Sequence, residues 1–229
     1  MAIAEVGSGS QRASVTGDNV DSQALAFPAG VGNARLLIVA GSNFQSGVNA
    51  TISVSDTLST SYTVIQASLG ASTVGFIAYG VSTSSGANTV TVNPSGTGNY
   101  VSYSIDEFSG QHATPLDVNG GSSTGTSTAP LDALTTGTAN DLIIGLVTHS
   151  DGSSPTITPT GSYTQIGEEE NTALHQPYNM VFRLVTTAQS YNVDWTTSPS
   201  TTWLALTAAF KEATSPKGLI MLLGDGGFL

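Results

Sequence analysis

Residues 34–41 read Ala34-Arg35-Leu36-Leu37-Ile38-Val39-Ala40-Gly41, a short apolar run set between Gly32 and Gly41. It has neither the period of two of a half-exposed strand nor the period of 3.6 of an amphipathic helix. A run of this length closed by glycine reads as a strand buried on both faces. A second run of the same kind, Asp141-Leu142-Ile143-Ile144-Gly145-Leu146-Val147-Thr148, follows 106 residues on, counted from Leu36 to Leu142. The segments around the two runs alternate instead. Ala50-Thr51-Ile52-Ser53-Val54-Ser55 stops at Asp56, and Tyr62-Thr63-Val64-Ile65 follows, then the segment 74–81. Gly86-Ala87-Asn88 turns the chain into Thr89-Val90-Thr91-Val92, which Asn93-Pro94 ends, and 100–108 alternates up to Ser109-Gly110. After the second run come 162–166, 178–186, 191–195 and 203–210. About ten strands with turn signals every 8–12 residues predict an all-β protein, a jelly-roll-like or immunoglobulin-like sandwich.

The two halves align. Leu36-Leu37-Ile38-Val39 matches Leu142-Ile143-Ile144-Gly145, and Ser61-Tyr62-Thr63-Val64-Ile65 matches Ser162-Tyr163-Thr164-Gln165-Ile166. Gly86-Ala87-Asn88-Thr89-Val90 matches Gln189-Ser190-Tyr191-Asn192-Val193, and Asp106-Glu107-Phe108 matches Ala208-Ala209-Phe210. The offsets are 106, 101, 103 and 102 residues. A near-constant offset suggests a pseudo-repeat, over about 34–110 and 140–210. Convergence of short β motifs accounts for the same matches. Neither half alone offers an obvious second sheet, so one sandwich built from both halves, residues 23–212, is expected. Residues 1–22 read as an arm or first edge strand, 119–129 as a mobile Gly/Ser/Thr loop, and 130–136 as at most one helical turn.

Composition narrows the chemistry. The 229 residues contain no cysteine, so disulfides, zinc-thiolate sites and cysteine nucleophiles are excluded. Only 9% are charged, with 16 acidic and 5 basic residues and a net charge of -11; an average domain has roughly 25% charged. Five scattered cations argue against a nucleic-acid or anionic-membrane partner, and no apolar segment is long enough to cross a bilayer. The 31 Thr and 30 Ser supply polarity without charge, and threonine suits the solvent face of a strand. The first residues carry Glu5 and no cationic region before an apolar stretch, so no signal peptide is read. A protein made in the cytoplasm and released by lysis is expected.

The ordered set Val54-Ser55-Asp56, Ser61-Tyr62-Thr63, Gly86-Ala87-Asn88-Thr89-Val90-Thr91-Val92, Glu107-Phe108-Ser109-Gly110, Pro115-Leu116-Asp117, Asn140-Asp141-Leu142-Ile143 and Ala208-Ala209-Phe210-Lys211 resembles a β-sandwich module of bacteriophage virion proteins, found also in some bacterial surface proteins. The resemblance spans about residues 20–212. It implies a non-enzymatic role in a virion, as capsid decoration or tail component, or in surface attachment. It supplies no catalytic residues.

The residues that carry chemistry elsewhere are sparse here. His112, His149 and His175 are the three histidines; without a Gly-x-Ser-x-Gly elbow they read as loop histidines rather than members of a triad. Asp106 and Glu107 resemble a glycosidase pair only if both face one cleft, and neighbours on a strand point to opposite faces. A strand-end cap or corner is the expectation. Glu168-Glu169-Glu170 lacks calcium-loop spacing and reads as a solvated loop tip. Trp195, Trp203, Tyr191 and Tyr178 would serve as a sugar-stacking platform if exposed, but in a sandwich they are expected in the core. No cofactor and no metal are expected.

The most unusual segment is the end. After Ala213-Thr214-Ser215-Pro216, read as a linker, Leu219, Ile220, Met221, Leu222 and Leu223 form an apolar run, and Phe228 and Leu229 close the chain. An exposed apolar tail is an aggregation liability without a partner. It packs on its own domain or adds to a neighbouring subunit. Docking on another virion protein or a second copy is the expectation carried forward. A glycan-binding module on a fibre or cell surface, and a carbohydrate-active enzyme on a jelly-roll scaffold, are the alternatives.

Overall fold

The computed structural model describes residues 2–9, 11–150, 155–169 and 177–214. The first half contains β1 (Ala4–Glu5), a 3-10 turn (Val6–Gly9), β2 (Ala13–Val20), β3 (Gln23–Ala26), β4 (Leu36–Phe44), β5 (Ile52–Asp56), β6 (Tyr62–Leu69), β7 (Thr73–Val81), β8 (Thr89–Pro94) and β9 (Asn99–Ser109). The second contains β10 (Gln111–Ser127), β11 (Leu131–Thr135), β12 (Leu142–His149), β13 (Thr156–Pro159), β14 (Thr164–Glu169), β15 (Tyr178–Leu184), β16 (Ser190–Ser198) and β17 (Thr201–Glu212). All paired strands are antiparallel.

The all-β sandwich fold is as read, but with four layers. In the first half a large sheet runs β9-β4-β7-β6, with β1 and β2 both pairing on β9, and a three-stranded sheet runs β3-β8-β5. The second half repeats the order as β10-β17-β12-β15-β14 and β11-β16-β13. The registers also repeat: Leu36 lies opposite Phe108 and Val81, and Leu142 lies opposite Phe210 and Leu184. The two large sheets pack on each other and form the expected sandwich built from both halves. The expectation that neither half has a second sheet is corrected, because each large sheet is covered on its other face by its own small one.

This layering explains the two apolar runs. β4 and β12 sit in the middle layers, so alternate side chains enter different cores. Leu36, Ile38 and Ala40 join Leu142, Ile144 and Leu146 in the central core. Leu37 and Val39 enter the outer core of the first half with Phe76, Val90 and Tyr103. Ile143 and Val147 enter that of the second half with Val193, Trp195 and Trp203. Full burial of an aliphatic side chain contributes about 1.5–3 kcal/mol, and both faces of these strands collect it.

Contacts across the central layer come in matched pairs. β7 meets β17 as β15 meets β9, β6 meets β17 as β14 meets β9, and β4 meets β15 as β12 meets β7. Reciprocal pairing of this kind is the property of a twofold interface, here contained within one chain.

Three local expectations change. Residues 119–127 are not a mobile loop but the second part of β10, paired through Ser122–Leu206, Thr124–Leu204 and Thr126–Thr202. Hydroxyl residues on an edge strand and a mobile Ser/Thr loop have the same composition, so composition alone did not separate them. Gly125 serves close approach: a Cβ there would lie 2.7 Å from the Trp203 ring. Residues 131–135 form a strand, β11, rather than a helical turn. The N-terminal segment realises the edge-strand reading, with Ala13 opposite Ile105 and Val15 opposite Tyr103.

Candidate functional site

Asp106 and Glu107 stand side by side in β9, fully buried, and their side chains diverge. Asp106 faces the central layer, where Arg12 Nε lies 3.3 Å from its Oδ2. Glu107 faces the other way, where the Gly32 amide donates to its Oε1 at 2.9 Å and Arg35 Nε stands 3.6 Å from it. They are neither a cleft pair nor a strand-end cap. Each is an internal fastening that a short apolar-flanked sequence does not reveal. Arg12 also pairs with Glu5 at 2.5 Å, donates to the Gln165 carbonyl at 3.0 Å, and covers the Phe182 ring at 5.3 Å from its centroid. It thus ties the N-terminal segment to the second half. Burial, with the nearby Glu5 carboxylate, pushes the Asp106 carboxyl up to about 8, against the pull of Arg12.

Asp141 is buried at the start of the second apolar run, and burial together with the Asp117 carboxylate pushes it up to about 7. Thr138 Oγ1 donates to it at 2.7 Å. Asp56 behaves oppositely. Burial alone would raise it, but donors from Asn88, Thr60 and Tyr62 outweigh that and hold it below 3.8.

His149 is corrected from a loop histidine to a fully buried residue closing β12, with its Nδ1 2.5 Å from Thr201 Oγ1. His112 lies half-buried in β10 beside Thr114, and His175 lies outside the described residues. Glu168 and Glu169 end β14 rather than forming a loop tip; Glu168 is exposed, as expected, and Glu169 is half-buried, with Thr16 Oγ1 donating to it at 2.7 Å across the two halves. Glu170 lies outside the described residues. Trp195 and Trp203 are 1% and 7% exposed, Tyr178 and Tyr191 are buried, and all four belong to the core, as expected. Trp195 Nε1 donates to Asn179 Oδ1 at 3.0 Å. A platform built on these tryptophans is therefore not available. The docking residues Leu219, Ile220, Met221, Leu222, Leu223, Phe228 and Leu229 lie outside the described residues.

A cleft of about 400 Å³ opens where β6 and β7 of the first half meet 113–116 of the second. Ser61, Thr63 and Thr114 bring hydroxyls to it, and Tyr79, Pro115 and Leu116 bring apolar surface. Sequence reading missed it, because its walls come from opposite halves and none of its residues belongs to a catalytic motif. No protein-family model and no curated protein matches the chain.

Proposed function

We propose that the chain is a non-enzymatic structural protein of a bacteriophage virion, a capsid decoration or tail component. It assembles with copies of itself or with other virion proteins through its termini. The observation that carries the reading is where the buried ionisable side chains stand. Asp106, Glu107, Asp141 and His149 are all fully buried, and the first two fasten strands to Arg12 and Arg35. None of the four lines the cleft. The body resembles a brick: four layers, three cores and an exterior rich in Ser and Thr. A neutral hydroxyl surface suits packing beside copies or partners.

The apolar residues Leu219 to Leu223, with Phe228 and Leu229, are the proposed contact with the neighbour. Expressing the chain truncated after Ser215 alongside the remaining particle proteins tests this. The truncated chain should keep its unfolding midpoint and be missing from purified particles. Particles that incorporate it at the full-length level would overturn the proposal.

The enzyme alternative loses support from the divergence of Asp106 and Glu107, and the tryptophan-platform form of glycan binding from the burial of both tryptophans.

A further inference from the structure

The internal twofold places Tyr79 and Phe182 at equivalent positions, each edge-on to a phenylalanine of the other half. Tyr79 and Phe210 lie 5.0 Å apart at 65°, and Phe182 and Phe108 lie 5.3 Å apart at 69°. What lies on the two rings differs. On Phe182 sits the guanidinium of Arg12, held by Glu5 and Asp106, and the ring is 7% exposed. On Tyr79 no cation sits among the described residues. Glu5 pairs with Phe108 at the first position, whereas Leu116 pairs with Phe210 at the second. Ala208 occupies the place of Asp106. The carboxylates and the arginine that seal one copy of this aromatic shelf are both missing from the other, and there the cleft stands open.

We propose that this cleft binds a neutral saccharide through Tyr79. Its lining contains no charged side chain, so a charged ligand would lose hydration without gaining a counter-charge. Its volume of about 400 Å³ lies in the range of small-molecule sites, ≈ 300–1,000 Å³. Thr63 lies directly opposite Tyr79 in the β6–β7 register. The hydroxyls of Ser61, Thr63 and Tyr79 take no hydrogen bond from the described residues, so all three stand ready to donate and accept. Tyr79 and Leu116, both half-buried, present apolar surface beside them. A sugar ring, with one C–H face and a rim of hydroxyls, meets both requirements. A lipid chain would leave the hydroxyls unpaired. The site goes beyond the proposed assembly role, and its failure would leave that role standing.

The test is titration of the full chain, followed by amide resonances, with lactose, maltose, cellobiose and chitobiose. Glucuronate, uridine and a proline-rich peptide serve as comparisons. At least one neutral disaccharide should shift the resonances of Thr63, Tyr79 and Leu116, and the comparison compounds should not. Thr63→Arg, on an exposed position of an edge strand, should weaken the binding at least about tenfold with an unchanged unfolding midpoint. Tyr79→Phe keeps the ring on Phe210 and removes the hydroxyl, so it should weaken binding by about two- to tenfold. Silence of these resonances with all four disaccharides would overturn the proposal. So would binding that Thr63→Arg leaves intact, or equal binding of a comparison compound.

Discussion

Ser42 Oγ and Thr148 Oγ1 lie 2.7 Å apart, and they occupy the same position in the two halves, 106 residues apart. Thr148 Oγ1 also donates to the Pro177 carbonyl at 2.9 Å. Both residues are fully buried. The bond therefore marks where the internal twofold axis passes through the central layer. Thr148→Val removes the bond to Ser42 and takes this donor from the Pro177 carbonyl, and should cost about 1–3 kcal/mol. Ser42→Ala should cost about 1 kcal/mol. The double variant should cost less than the sum, because the two share one interaction. Urea unfolding of the four proteins at constant slope checks this, and strict additivity would count against it.

Both tryptophans sit in the outer core of the second half, so tryptophan emission reports on that half alone. The central core joins side chains of both halves. Neither large sheet keeps its inner face dry without the other, so the halves should unfold together. Emission and far-ultraviolet circular dichroism should give the same urea midpoint. Trp195→Ala, which empties a fully buried site, should lower both midpoints together by about 3–5 kcal/mol of stability. Two separated transitions would show that the central layer does not couple the halves.

Stability should fall as pH rises over the range set by Asp106 and Asp141. Their carboxyls, with an ordinary value of 3.8, are pushed up to about 8 and about 7. Between 3.8 and those values the folded chain holds protons that the unfolded chain has released. Wherever the folded state binds more protons, stability declines with rising pH. Above about 8 the contribution is level. Asp106→Asn should flatten the decline, measured by urea midpoints at about pH 5, 7 and 9.

Asp56 has the opposite sign. Leu58 and Thr60 amides donate to its Oδ1 at 3.1 and 2.8 Å, and Tyr62 and Asn88 donate to its Oδ2 at 3.0 and 2.9 Å. Its carboxyl titrates below 3.8 in the folded chain, so its contribution is present above 3.8 and disappears as pH falls through the folded value. Asp56→Ala should cost about 1–3 kcal/mol at neutral pH, and its cost should shrink in acid. An equal cost at both pH values would contradict this.

Gly41 and Gly75 separate two kinds of close packing. A Cβ on Gly41 would lie 2.1 Å from the Ser102 carbonyl oxygen and 2.5 Å from Tyr103 Cα, both backbone atoms of the neighbouring strand. A Cβ on Gly75 would meet the ends of the Leu206 and Leu204 side chains at 2.8 and 3.1 Å. Flexible leucine ends can turn away, whereas paired backbones must separate. Gly75→Ala should cost about 1–3 kcal/mol, and Gly41→Ala more. Thermal unfolding of the two variants checks the order.

The strands that bury both faces are legible in the residues alone. Leu36–Ala40 and Leu142–Val147 leave no room for a solvated side, and turn residues punctuate the rest. The near-constant offset between the halves was also visible there. Period two is a local property, so strand existence is legible residue by residue. What each face meets is set by packing between distant parts of the chain. Strands at 50–55, 89–92 and 191–195 are legible, but their pairing into small outer sheets is not, and Leu131–Thr135 is too short and half polar to be read as a strand. The edge strand 119–127 was hidden because a solvent-facing strand and a loop share one composition. Asp106, Glu107 and Arg12 were read apart, since ion pairs spanning 94 residues leave no local signature. The open shelf at Tyr79 and the sealed one at Phe182 differ through residues far away in the chain. Which half carries the arginine is a matter of sequence, but that it lands on a ring of the other half is a matter of the fold.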